Sequence, residues 1–285
     1  MDKMPVALCQ MRVGEDKSIN LDTAQKMVAK AAEKGARLIV LPEIFNSPYE
    51  AARFSQYSEP IPGPSSQLLQ DLACQYQVTL VGGSIIERDP QGKLFNTCLV
   101  YAPDGSMVGK YRKIHLFDVN IPGKIRFQES ATLSPGHNLT LFSVQGWQVA
   151  VLICYDIRFP ELLRLAVLAG ADAIVVPAAF NLTTGPLHWD LLMRSRAVDS
   201  QAYVMACSPA LNQAASYKAW GHSMLVDPRG TVLAQAGQEE VIVQGELDPQ
   251  AVERVRSEFP LLIQRRTDLY DTVARQEAVI IRKEF

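Results

Sequence analysis

Short, dense apolar runs alternate with stretches of helical periodicity along the whole chain. Runs at 5–10, 37–41, 78–86, 94–101, 106–112, 148–154, 173–176, 203–207, 223–226, 231–234 and 241–247 have the length and residue types of strands. Between the first two, Leu21, Ala24, Met27, Val28 and Ala31 recur at helical spacing, with Asn20 as the cap and Gly35 as the stop. Further helices are predicted at 65–76, 159–169, 187–200 and 249–257, the last with Pro249 in its first turn. Pro103-Asp104-Gly105 and Asp227-Pro228-Arg229-Gly230 read as turns that fold the flanking runs into hairpins.

The central runs are apolar on both faces, so the sheets they build must be covered on both sides. The expectation is an α/β fold: two facing mixed sheets with helices outside. No low-complexity linker divides the chain, which reads as one domain over 1–285 with its core at about 4–270. The tail, 271–285, either crosses onto a partner subunit or frays.

A hydrophobic share of 48% against 20% charged residues is enough to bury a large core. A net charge of −2 without a basic run excludes the surface that a nucleic-acid binder needs. No long apolar stretch points to a membrane. The chain turns strand-like almost from Met4, which leaves no room for a signal peptide and favours a cytosolic protein. Five widely spaced cysteines, with no Cys-x-x-Cys, give neither a disulfide framework nor a zinc site. Cys9, Cys98 and Cys207 lie inside apolar runs and read as inert core, and Cys74 falls in a predicted helix. His115, His188 and His222 lack metal-ligand spacing and read as hydrogen-bonded structural residues, His137 as loop.

Three runs end in reactive groups. Cys154 closes 148–154, Glu43 follows 37–41, and Lys113 follows 107–112. Alone, each reads as a core thiol or a solvated charge. Together, at strand ends, they supply a nucleophile, a base and a cation where α/β proteins keep their chemistry. A thiol needs a base to attack a carbonyl carbon, and the oxyanion that results needs donors. Lys113 offers one donor and the backbone N–H of Tyr155 another. Glu129, a loop beyond Lys113, either steadies the ammonium or is simply exposed. The set makes sense as acyl transfer through a thioester.

At these residues the chain closely resembles the nitrilase superfamily of carbon–nitrogen hydrolases. The resemblance rests on Leu41-Pro42-Glu43, on Tyr111-Arg112-Lys113-Ile114-His115-Leu116, and on the segment from Ile153 to Glu161, in that order. It implies an α-β-β-α sandwich that pairs with a second copy, and no metal or organic cofactor. It also implies Glu43 as base, Lys113 as oxyanion cation, Cys154 as nucleophile and Glu129 as a second glutamate. Phe45-Asn46-Ser47-Pro48-Tyr49, the segment after Lys113 and the segment 180–189 look most like the ω-amidase branch. That branch hydrolyses the terminal amide of α-ketoglutaramate and α-ketosuccinamate to the 2-oxo acid and ammonia.

Such a substrate is anionic and calls for an arginine fork. Arg158, Arg194 and Arg196 flank the motif segments, and each serves equally well in a structural ion pair. Tyr49 and Trp189 line the pocket or pack in the core. A papain-like protease would need a Cys-Gly-x-Cys-Trp-type segment, a serine hydrolase Gly-x-Ser-x-Gly, and a nucleotide enzyme a glycine-rich phosphate loop; all are absent. Two alternatives stay open: a sister amidase acting on deaminated glutathione, and a catalytically silent binding scaffold of the same fold.

Overall fold

Side-chain alternation along the strand Met4–Gln10 divides it between two apolar clusters, Val6 and Leu8 joining one and Ala7 and Cys9 the other. The computed structural model describes residues 1–123, 125–275 and 280–283. In chain order its strands begin with β1 (Met4–Gln10), β2 (Leu38–Val40), β3 (Thr79–Val81), β4 (Ile85–Arg88), β5 (Leu94–Tyr101) and β6 (Met107–Arg112). They continue with β7 (Asp118–Ile121), β8 (Ile125–Gln128), β9 (Leu139–Val144), β10 (Trp147–Val151), β11 (Ala173–Pro177) and β12 (Tyr203–Cys207). The last are β13 (Met224–Val226), β14 (Val232–Gln235), β15 (Val241–Leu247) and β16 (Ile280–Lys283). The helices are α1 (Lys17–Glu33), α2 (Phe54–Tyr57), α3 (Pro64–Tyr76), α4 (Pro160–Leu168), α5 (Gly185–Ser200) and α6 (Pro249–Glu258).

One sheet runs β15-β1-β2-β3-β5-β4, with β6 on the other edge of β5; the second runs β14-β13-β12-β11-β10-β9-β16. Each has three adjacent parallel strands at its centre, β1-β2-β3 and β10-β11-β12. The sheets face each other, β1 against β12 and β6 against β9. Val6, Leu8, Leu38 and Val40 share that interior with residues of the second sheet. Ala7, Cys9, Ile39 and Leu41 point the other way, onto Val28 of α1 and Leu72 of α3. Beyond the second sheet, α4 and α5 contribute Leu163, Ala166, Met193 and Ala197. The layers are α-β-β-α, as the apolar runs imply.

Local departures have local causes. Helix α1 starts at Lys17, because the Asp16 side chain caps it by accepting the N–H groups of Ser18 and Ile19. Asn20, the expected cap, is buried and instead binds the Gly14 N–H and C=O at 2.8 and 2.9 Å. The hairpin β7–β8 and strand β9 were not expected, being short and polar-interrupted; Gln145 and Gly146, both at positive φ, turn β9 into β10. In the tail, 280–283 run parallel to β9, and 276–279 and 284–285 lie outside the described residues.

The run 78–86 is not one strand. It breaks at Gly82-Gly83 into β3 and β4, which pair with the same edge of β5 one residue out of step, as a bulge requires. Gly83 has φ +56, and a Cβ there would sit 2.0 Å from the Pro42 carbonyl oxygen. That close approach brings the bulge against the loop after β2, where Ile44 and Phe45 N–H bond to Ser84. Gly83→Ala is therefore expected to destabilise the protein by at least ~2 kcal/mol in urea unfolding.

Candidate active site

The same bulge positions Glu43. The chain leaves β2 through Leu41 and Pro42, and Ser84 N–H holds the Pro42 carbonyl at 3.2 Å while its hydroxyl takes Ile44 N–H at 2.9 Å. Lys113 is the first residue past β6, and its N–H still bonds the Asn96 carbonyl of β5 at 2.9 Å. Glu129 opens a single helical turn after the β7–β8 hairpin. Cys154 lies beyond the end of β10, in the left-handed region at φ +46. For a residue with a Cβ this conformation is unfavourable, and it lifts the thiol out of the strand direction.

These segments converge on one buried cluster. Lys113 Nζ lies 2.9 Å from Glu43 Oε1 and 2.9 Å from Glu129 Oε2, with all three side chains sealed from solvent. Asn96 Nδ2 donates to Glu43 Oε1 at 2.9 Å. Glu129 is fixed by the Tyr49 hydroxyl and the Phe117 N–H, both at 2.6 Å. The Cys154 thiol lies within electrostatic reach of the Glu43 carboxyl, whose buried Oε2 has no hydrogen-bond partner among the described residues, and Ala179 N–H approaches the sulfur at 3.5 Å.

Burial dominates the electrostatics. It raises the Glu43 carboxyl above the usual range; Lys113 opposes the rise and Glu129 adds to it. It also raises the Cys154 thiol well above its ordinary value, reinforced by the Glu43 charge and opposed by Lys113. Burial alone would lower the Lys113 ammonium, but Glu129 and Glu43 together outweigh it and hold the proton firmly. The nucleophile thus rests as a neutral thiol beside Glu43 and a firmly protonated Lys113.

Asp156 ties the nucleophile segment to the lysine segment. Its buried carboxylate accepts the Tyr111 hydroxyl at 2.7 Å, the Ile153 N–H at 3.0 Å and the His115 N–H at 2.9 Å.

A sequence profile of the carbon–nitrogen hydrolase family matches residues 5–257. The chain belongs to that family. It is 50% identical over 277 residues to omega-amidase NIT2 of Danio rerio, covering 97% of this chain and 100% of that protein. It is 50% identical to omega-amidase NIT2 of Homo sapiens, covering 95% of this chain and 98% of that one. The crystal structure of Saccharomyces cerevisiae Nit3, a nitrilase-superfamily member, superposes with a TM-score of 0.85 at 46% identity, over 93% of this chain and 97% of that one.

Two spaces adjoin the cluster of this hydrolase. Cys154, Phe117, Tyr155, Arg158 and Phe180 line a crevice of ≈ 10 Å³. Glu43, Tyr49 and Pro209 line a cavity of ≈ 240 Å³, and Ala179 and Tyr217 border both. Arg158 rests on the rings of Tyr155 and Phe180 with its Nη1 3.2 Å from His188 Nδ1, and no carboxylate among the described residues pairs with it.

The other proposed binding residues sit elsewhere. Arg194 is exposed, donating to the Gly230 carbonyl and facing Asp190; Arg196 holds the Ile157 carbonyl and Asp199. Both side chains are taken up by α5 and its neighbours, so neither reaches the crevice. Trp189 is core: its Nε1–H donates to the His222 carbonyl and its ring supports Phe180 from behind. His115, His188 and His222 each pair with a side chain or carbonyl. Among the described residues no group of three His, Cys, Asp or Glu is placed to hold a metal, and no helix is long and apolar enough to cross a membrane.

Asn96, Asp156 and Tyr217 escaped the sequence reading. Asn96 had a signal, a polar residue inside the apolar run 94–101; Tyr217 lies in a loop with none. Replacing Lys113 by Met leaves two buried carboxylates without a cation and is expected to cost ~3–5 kcal/mol at neutral pH. The folded variant would then hold protons that the unfolded chain releases. Its deficit should therefore shrink as pH falls towards the ordinary carboxylate range, read by urea unfolding at several pH values.

Proposed function

We propose that this amide-hydrolysing enzyme is an ω-amidase, converting an α-keto dicarboxylic monoamide, α-ketoglutaramate or α-ketosuccinamate, to the 2-oxo acid and ammonia. The single observation that carries the reading is the Cys154 thiol within reach of Glu43, whose Oε2 is free of other donors and whose Oε1 is held by Lys113, with Arg158, unpaired by any carboxylate among the described residues, in the crevice at the sulfur. The 50% identity to omega-amidases over nearly the whole chain supports the substrate class.

Glu43 takes the thiol proton as Cys154 attacks the amide carbon. The raised thiol makes this base necessary, and the raised carboxyl makes Glu43 a competent acid when it returns the proton to the leaving amine. Lys113 Nζ and the Tyr155 N–H, at the open start of its helical turn, stabilise the oxyanion. Glu129 keeps Lys113 in place, and Tyr49 keeps Glu129 in place. Ammonia leaves, and water activated by Glu43 then cleaves the thioester.

Arg158 receives the substrate carboxylate on its planar fork. The crevice has room for about one water at rest, so the guanidinium moves outward from Tyr155 and Phe180 as substrate enters. The same reading takes the enzyme as a cytosolic homodimer. Exposed Leu187, Leu191 and Val198 form an apolar stripe on α5 suited to a second copy.

Cys154→Ala should abolish ammonia release while leaving the unfolding transition in place, and Glu43→Gln should lower kcat by roughly 10²–10⁴. The acid limb of the kcat/KM profile should lie above the ordinary glutamate range and vanish in Glu43→Gln. Near-normal turnover by Cys154→Ala would end the proposal. Arg158→Lys keeps the charge and loses the fork; it should raise KM for α-ketoglutaramate about tenfold or more, with kcat changed far less.

A further inference from the structure

Two unlike spaces meet at the Glu43–Cys154 pair. The crevice beside Cys154 holds Arg158, the cation suited to the acyl carboxylate. The ≈ 240 Å³ cavity is lined by Glu43 instead, with no Lys, Arg or His among its walls. Building on the ω-amidase reading, we propose that this cavity is a leaving-amine subsite. The enzyme then hydrolyses N-substituted ω-amides of neutral or cationic amines as well as primary amides.

The direction of proton return sets the geometry. The nitrogen that departs must face Glu43, and Glu43 borders the cavity. Ammonia fills about one water's share of volume, roughly 30 Å³, so a primary amide leaves most of the space unused. Pro48, Pro209, Ala210 and Ala215 make small apolar walls, and Glu15 and Glu50 contribute carboxylates. Arg53, outside the lining, approaches Glu15 at 3.4 Å and Glu50 at 3.9 Å and offsets one of the two charges. The remaining negative charge suits an amine with a second ammonium group. A peptide-like leaving group ends in a carboxylate, which finds no cation there and is disfavoured, so the cavity also argues against a deaminated-glutathione specificity.

The chemistry balances without a co-reactant other than water. The S–C bond forms as the thiol proton passes to Glu43, and the C–N bond breaks as Glu43 hands it to the amine nitrogen. Water then adds its hydroxyl to the acyl carbon, and its remaining proton returns through Glu43 to sulfur as the C–S bond breaks.

The test compares α-ketoglutaramate with its N-(2-aminoethyl) and N-carboxymethyl derivatives, scored by release of the 2-oxo acid, in the wild type and in Ala215→Trp. Ala215 is partly exposed on the cavity wall, so the larger side chain fills the space from a loop. The wild type should cleave the aminoethyl amide within roughly tenfold of the primary amide in kcat/KM, and the carboxymethyl amide at least tenfold more slowly. Ala215→Trp should lose about tenfold or more on the aminoethyl amide and keep primary-amide turnover. An unreactive aminoethyl amide alongside normal primary-amide turnover would overturn the subsite. So would an equal loss on both substrates in Ala215→Trp, since the acyl chain would then occupy the cavity. No turnover of the primary amide at all would overturn the ω-amidase reading, and this inference with it.

Discussion

A single ammonium held between two carboxylates, all fully buried, is the constraint around which the site is organised. Taking three charges out of water is costly, and the cost is recovered only when geometry is tight and every remaining lone pair has a donor. Asn96, Tyr49 and the Phe117 N–H supply donors, and only Glu43 Oε2, among the carboxylate oxygens of the cluster, is left without one. The cluster keeps one excess negative charge. Burial, together with that excess, raises Glu43 and Cys154, so the nucleophile rests as a thiol rather than as a preformed thiolate. Nucleophile and base are thereby coupled: neither is reactive without the other.

Holding such a cluster requires unusual backbone at defined places. Gly83 lets the β3–β4 bulge press against the Pro42 carbonyl, which aims Glu43. Cys154 adopts a left-handed conformation that turns its sulfur away from β10. Asp156 then binds the nucleophile turn to β6 and the His115 segment, so the thiol and the lysine move as one body. Strain is tolerated here because the flanking parallel strands are covered on both faces and cannot relax.

Charge also distinguishes the two ends of the site. Arg158 borders the crevice at the sulfur, and only carboxylates border the cavity at Glu43. An anionic ω-amide has one favourable orientation in such a field, with its carboxylate towards Arg158 and its nitrogen towards the acid that must protonate it. The relatives share the fold and the family; the distribution of charge is what connects that fold to a substrate class.

The alternation of apolar runs and helical periods was sufficient for the layered architecture, because each two-faced strand demands cover on both sides. Glu43, Lys113 and Cys154 were legible only as a set, because each alone has a bland reading while a base, a cation and a nucleophile at three strand ends complement one another. Other features depend on groups distant along the chain. The split of 78–86 arises from a turn packed against Pro42, the donors on Glu129 come from Tyr49 and Phe117, and Tyr217 arrives from a loop without any pattern. Arg158, Arg194 and Arg196 look alike in sequence, yet of the three only Arg158 borders the sulfur, since the other two, on α5, are spent on the Gly230 and Ile157 carbonyls and on Asp190 and Asp199. Local sequence determines what each segment prefers to be. Which side chains share a buried space, and therefore which charges shift one another, is decided only when the two sheets close.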